Sequence, residues 1–195
     1  TIRQLAGMKT REWSYQQTAL VCSIQTEQEH QQTAWQRFLP DGPLAFLPLQ
    51  TAASPAQFSS IVWSTSPERA AQLLALDDAG FCLALGEAAE YRLGQVQAAS
   101  QRFSFPLRQR HATDYVRPGL ALVADAAHTI HPLAGQGINL GFKDVSVLAE
   151  EIGRACERGL PAGGSQLLAR YQRRRVADNL AMMGAMEGFK RLFGA

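Results

Sequence analysis

Apolar and polar positions along the first hundred residues follow sheet-like patterns, broken by turn residues. Ala19-Leu-Val-Cys-Ser-Ile24 is rich in apolar and β-branched residues and predicts a strand, and Trp35 to Leu39 is a second candidate strand. Pro40-Asp-Gly-Pro43 is turn chemistry, because Gly supplies positive φ and Pro presets its own. Leu44 to Leu49 is therefore expected to return antiparallel as a hairpin, and Phe58 to Trp63 predicts a fourth strand. Ser66-Pro67-Glu68 is a helix start leading into Ala70 to Leu76. Asp77 and Asp78 are placed to cap a second helix that ends near Ala89. Further strands are expected over Val96 to Phe105 and Leu107 to Ala112.

After Asp114 the pattern changes. Pro118-Gly119 marks a turn, and Leu120-Ala-Leu-Val-Ala124 is wholly apolar, as in a parallel strand buried on both faces. Asp125 ends that run and opens a loop containing Pro132, Gly135 and Gly137. Ile138, Phe142, Val145, Leu148, Ile152 and Cys156 recur at spacings of three and four, predicting a helix that packs through them. Lys143, Glu150, Glu151 and Arg154 fall on its other faces. A break at Gly159 to Gly164 precedes a last helix, from about 166 to 192, with Leu168, Tyr171, Leu180, Met183 and Phe189 as candidate core. On it, Arg170, Arg173, Arg174 and Arg175 read as a solvated face. Met182, Met183 and Met186 read as helix packing or a subunit contact, and Trp13, Trp35 and Trp63 as core or sheet residues.

Composition narrows the class. The chain has 195 residues, 46% of them hydrophobic, which is enough for a sizeable core. A formal net charge of +2 argues against nucleic acid as the main partner. Cys22, Cys82 and Cys156 are scattered, as expected of buried thiols in a reducing compartment. No apolar run approaches the roughly 18 to 20 residues that span a bilayer, and the chain does not open on a signal sequence. The expected location is cytoplasmic. A start at Thr1 running straight into Ile2-Arg-Gln-Leu5 is expected of a cut-down chain.

The stretch Leu120 to Gly141 carries the chemistry. Physically it is a buried strand, an acid at its carboxyl end, a tight loop and a Gly-rich helix start. An Asp at a strand end can accept hydrogen bonds from sugar-like hydroxyls. The first amides of the following helix lack intrahelical partners and carry a partial positive charge. Gly135 and Gly137 allow a flat ligand close to that backbone. These features support an anion-accepting strand–loop–helix site.

The same stretch resembles the second FAD signature of the ubiquinone-biosynthesis hydroxylases, within the para-hydroxybenzoate-hydroxylase-like flavin monooxygenases. The matching residues are Asp125-Ala-Ala-His128, His131-Pro-Leu-Ala-Gly-Gln-Gly137 and Asn139-Leu-Gly141. Trp35-Gln-Arg-Phe-Leu-Pro40, Gly42 to Pro48, Ile61-Val-Trp-Ser64 and Phe105-Pro-Leu107 resemble the family's substrate-domain strands, so the likeness covers nearly the whole chain.

The resemblance implies an α+β architecture. Residues 1–113 would form a mostly antiparallel substrate-domain sheet with flanking helices. Residues 114–195 would supply the last strand and carboxyl-terminal helices of an FAD-binding domain. It further implies that Asp125 bonds the ribityl chain of FAD, with Pro132, Gly135, Gln136, Gly137, Ile138 and Asn139 beside the isoalloxazine. Phe46, Leu47 and Pro48 would cover the substrate side. The implied reaction is NAD(P)H-dependent hydroxylation of a prenylated phenol or quinol, with peripheral membrane, complex or self-association as implied partnerships. Two departures bear on it. Ala124 stands where the family usually has Gly, and the family's amino-terminal Gly-x-Gly-x-x-Gly and middle Asp-Gly motifs are not in this sequence. The isolated chain is accordingly expected to be inactive. Two rival readings stay open: a non-catalytic binding or assembly module that keeps the fold, and a metal hydrolase using Asp125, His128 and His131.

Overall fold

The computed structural model describes residues 2–50, 56–130 and 136–193. The fold is α+β, and the chain divides into two compact units. One is Gln16–Leu107. The other combines the described residues up to Tyr15 with Arg108–Arg191. Strands and helices are numbered in chain order across both.

The first unit is a sheet with helices on one face. It holds most of β1 (Thr10–Thr26), with β2 (Trp35–Leu39), β3 (Gly42–Pro48), β4 (Phe58–Thr65) and β5 (Val96–Ala99). The order is β2-β3-β4-β1, with β5 added to β1, and these strands pair antiparallel. The expected hairpin is present, with Leu39 opposite Gly42 and Trp35 opposite Phe46. Gly42 is required there: its φ is +140°, and a Cβ would lie 2.5 Å from the Ser64 carbonyl oxygen. Alternate residues of the strands, among them Leu20, Cys22, Ile24, Leu44, Phe46, Ile61 and Trp63, point to one face. There they meet Ala70 and Leu73 of α2 (Pro67–Ala75) and Phe81 and Leu85 of α3 (Asp78–Ala88). Both helix starts are capped as expected. Ser66 Oγ accepts from the Arg69 amide at 3.1 Å and Asp77 Oδ1 from the Gly80 amide at 2.8 Å. Both caps were legible in the sequence.

One strand boundary is corrected. The expected run Val96 to Phe105 breaks after Ala99, and β6 runs over Phe103–Ala112. The Ser100 amide bonds the Ser23 carbonyl, while the Arg102 guanidinium reaches the Leu76 carbonyl at 2.9 Å and the Asp78 carboxylate at 3.1 Å. Those bonds pull the connection out of the ladder.

The second unit contains α1 (Ile2–Leu5), β7 (Val116–Arg117), β8 (Leu120–Ala121), β9 (His128–Thr129), α4 (Gln136–Glu157) and α5 (Ser165–Phe193). It also holds the end of β6, on which β9 pairs antiparallel with His111 opposite His128. The expected buried parallel strand Leu120 to Ala124 is not formed. Leu120 and Ala121 close a small antiparallel hairpin with β7, and Ala124–Ala126 is a 3-10 turn. No named strand among the described residues pairs in parallel with it. The run is apolar because it packs side-on with Tyr115, Ala127 and Tyr171, not because it is a central strand.

The face of α4 is also corrected. Ile138, Phe142 and Val145 are 67%, 65% and 51% exposed, and Cys156 is exposed as well. The inward stripe is Leu140, Asp144, Glu151 and Ala155. On α5 the inward stripe is Leu168, Tyr171, Arg175, Asn179, Met183 and Met186, spaced by three and four. Leu180 is exposed, and the Phe189 side chain lies outside the described residues. The arginine cluster is only in part a solvated face. Arg173 and Arg174 are exposed, Arg170 is half-buried and Arg175 is 1% exposed, and Arg170 and Arg174 close on Glu151 at 2.8 Å each. No helix of the described residues is long and apolar enough to cross a membrane.

Two leucines of α3 separate burial from mere hydrophobicity. Leu85→Ala, at a fully buried position, should lower unfolding free energy by about 2–5 kcal/mol in urea titration. Leu83→Ala, at an exposed one, should stay within about 0.5 kcal/mol.

Candidate functional site

The chemistry-bearing stretch folds as a turn held against the start of a helix. Ala124 has φ +51°, in the left-handed region that costs a β-carbon about 1–2 kcal/mol. The usual glycine at this position suits that backbone. Ala124 also meets Gly141 of α4 closely, since a Cβ on Gly141 would lie 2.7 Å from the Ala124 Cβ. Gly141 thus lets the turn approach the helix.

What fixes the turn is Asp144, one helical turn further along α4. Its Oδ2 accepts from the Ala124 amide at 2.9 Å and from His128 Nε2 at 2.6 Å. Its Oδ1 accepts from Arg175 Nε at 2.7 Å and from Asn179 Nδ2 at 3.2 Å. Carboxylate, imidazole and guanidinium are all within 1% of fully buried. A buried ion pair is tolerable only when its remaining donors and acceptors are satisfied. Here Arg175 also donates to Asp178 at 2.8 Å and to Asn179 Oδ1 at 2.7 Å.

The guanidinium can only donate, so it sets the direction of the whole network. The Asn179 carbonyl must face Arg175, and its amide then donates to Tyr115 Oη at 3.1 Å. The Tyr115 hydroxyl proton in turn points at His111 Nε2, 3.2 Å away, which must be unprotonated to accept it. The electrostatics agree. Burial, with His128 and Arg11 nearby, pushes the His111 pKa down. Burial pushes the Tyr115 phenol up to about 12 despite the Asn179 bond. Burial alone would raise the Asp144 pKa, but the bonds from His128, Arg175 and the Ala124 amide outweigh it and hold the carboxyl below its usual range.

The candidate residues fall into three groups. Asp125 lies on the 3-10 turn with its side chain exposed, and Gly137, Ile138 and Asn139 lie on the first turn of α4. Among the described residues, a Cβ on Gly137 would meet nothing within 4 Å. Gln136 begins the helix, while Pro132, Gly135 and His131 lie outside the described residues. His128 is buried and bonds Asp144 through Nε2, while Asp125 is exposed. In the other unit, Phe46 is in the helix-covered core, Leu47 is exposed on the opposite face and Pro48 is half-buried. Asp144, Arg175 and Asn179 went unmarked as site residues in the sequence. Their signal is a polar residue on the inward stripe of a helix, once on α4 and twice on α5.

An exposed acid beside a Gly-bearing helix start fits a ligand with hydroxyls and an electron-rich, anion-forming edge. Residues 2–184 match the family model described as the FAD binding domain. The chain belongs to that family. It is 44% identical to Escherichia coli 3-demethoxyubiquinol 3-hydroxylase over 96% of this chain and 46% of that protein. It is 36% identical to the human mitochondrial ubiquinone biosynthesis monooxygenase COQ6, over 98% of this chain and 47% of that one. The ubiquinone hydroxylase UbiL of Rhodospirillum rubrum is 41% identical over 98% of this chain and 44% of its own length. The chain therefore spans about half the length of the curated relatives it matches. Among solved structures, PqsL of Pseudomonas aeruginosa, a probable FAD-dependent monooxygenase, shares the fold with a TM-score of 0.78 at 23% identity. That match covers 98% of this chain and 52% of that one. These matches bear out the resemblance to the ubiquinone-biosynthesis hydroxylases.

Two predictions follow from the lock. Ala124→Gly should stabilise the chain by about 0.5–1 kcal/mol in urea titration by relieving the left-handed strain. Gly141→Ala should destabilise it, and less so in the Ala124→Gly background, where the facing methyl is gone. Acidification tests the charges. A lowered His111 pKa means the unfolded chain takes up a proton first, so stability falls as pH drops below about 6.5. The lowered Asp144 pKa adds stability that is present above about pH 4 and lost as pH falls through the folded value. Melting temperatures between pH 8 and 5 should fall more for the native chain than for His111→Gln.

Proposed function

We propose that this chain is the flavin-facing and substrate-covering portion of an FAD- and NAD(P)H-dependent monooxygenase. Its substrate would be a prenylated phenol or quinol ring in ubiquinone biosynthesis. The observation that carries the reading is the exposed Asp125 on a turn locked against the start of α4. The names of the curated relatives supply the substrate class.

In this reading residues 114–195 serve the flavin and 1–113 the substrate. Asp125 accepts hydrogen bonds from the ribityl hydroxyls. Pro132, Gly135, Gln136, Gly137, Ile138 and Asn139 lie beside the ring, with the first amides of α4 stabilising negative charge on its edge. FAD supplies the redox chemistry between NAD(P)H, oxygen and the aromatic ring. Leu47 is the residue of the Phe46–Pro48 segment placed on the open face of the sheet, and it lines the substrate side. The exposed stripe of Ile138, Phe142 and Val145 is surface that another part of the enzyme covers, and it drives self-association when left bare. The three unpaired cysteines are in keeping with a cytoplasmic site of action.

FAD titration with fluorescence and desalting tests the reading. The chain alone should retain little flavin. Mixed with the amino-terminal half of the Escherichia coli relative it should retain FAD, and Asp125→Ala should weaken that binding by about tenfold, the loss of roughly one good hydrogen bond. Light scattering should show association of the chain alone that Phe142→Glu reduces. Failure to retain FAD in any combination would leave a non-catalytic module as the better description.

A further inference from the structure

We propose that Arg175 is a positioning residue for the flavin site, acting through Asp144, so that α5 sets the placement of the turn that carries Asp125. The inference rests on the flavin reading above and adds to it the group that holds the site in shape. From α5, the Tyr171 hydroxyl donates to the Leu122 carbonyl at 2.7 Å, just before the turn. Arg175 reaches the site through one carboxylate, which accepts its Nε–H on one oxygen and the Ala124 amide and His128 on the other. The same carboxylate is part of α4, two turns after its Gln136 start. A shift of α5 along its axis would therefore carry Asp144, and with it both the acid-bearing turn and the helix start.

Three features make Arg175 specific to this task. Each of its three nitrogens serves a different acceptor, Asp144, Asp178 and Asn179, and a lysine ammonium cannot reproduce that planar fork. The turn it secures is strained at Ala124, so it needs an outside anchor to hold its left-handed backbone. The stripe continues past it: Met183 and Met186, one and two turns beyond Asn179, pack on Ile130 before the loop and Leu140 in the first turns of α4. The α5 stripe thus supports both ends of the loop, by charge at Arg175 and by apolar contact beyond it.

The test compares Arg175→Lys and Asn179→Ala with Leu168→Ala. Leu168 is buried on the same stripe but lies outside the network, and its loss costs stability alone. Amide hydrogen exchange is measured on the chain itself. FAD affinity is measured on the chain combined with the amino-terminal half of the Escherichia coli relative. At matched melting temperature, Arg175→Lys should speed exchange at Ala124 to Ala127 by about tenfold relative to Leu168→Ala, the loss of roughly one charge-assisted hydrogen bond. It should also weaken FAD binding by about the same factor, and Asn179→Ala should move both in the same direction. Equal exchange at Ala124 to Ala127 in Arg175→Lys and Leu168→Ala would overturn the proposal, whether or not flavin binds. So would unchanged FAD affinity in Arg175→Lys when the native chain binds. Absence of FAD binding by the native chain would sink the flavin reading instead, and exchange would still decide whether α5 holds the turn.

Discussion

The buried carboxylate of Asp144 is the constraint on which the second unit depends. It is a charge removed from water, which costs several kcal/mol unless every lone pair is used. Four donors use them: the Ala124 amide, His128, Arg175 and Asn179. Those donors come from the 3-10 turn, β9 and α5, and the carboxylate itself from α4. A single group therefore ties four segments.

Because one end of the network is an arginine, its direction is fixed. Each member donates onward, from Arg175 through Asn179 and Tyr115 to a neutral His111. A polar core of this kind is satisfied in one arrangement only, which favours a unique backbone over a set of similar ones. That uniqueness matters where the backbone is strained, as at Ala124, and where an acid must stand at a defined distance from a helix start. The Glu150 and Glu151 pairs with Arg154, Arg170 and Arg174 repeat the device nearer the other end of α4. There the partners are partly exposed, so each pair contributes less.

The first unit is built on the opposite principle. Its sheet and two helices meet through Leu20, Ile24, Ile61, Trp63, Leu73, Phe81 and Leu85, with little buried charge. Apolar packing of this sort tolerates change while volume is kept. The exposed side, where Leu47 stands, can then vary without disturbing the core beneath. The second unit has less such freedom, since removing one partner of its network strands another in a dry site.

The sequence by itself determined a good deal. Strand alternation, the Pro40 to Pro43 turn and the Ser66 and Asp77 caps were legible because each is a local rule of backbone and side-chain chemistry. The Asp125 to Gly141 segment was legible because many residue identities coincide in a fixed order. Only the tertiary structure decided which face of α4 is buried, that Leu120 to Ala124 ends in a turn, and that Arg175 is inside. Apolar periodicity assumes that inward positions are apolar. Here they are held by charges whose partners lie 16 to 35 residues away, and no local pattern reports a pairing made across the fold.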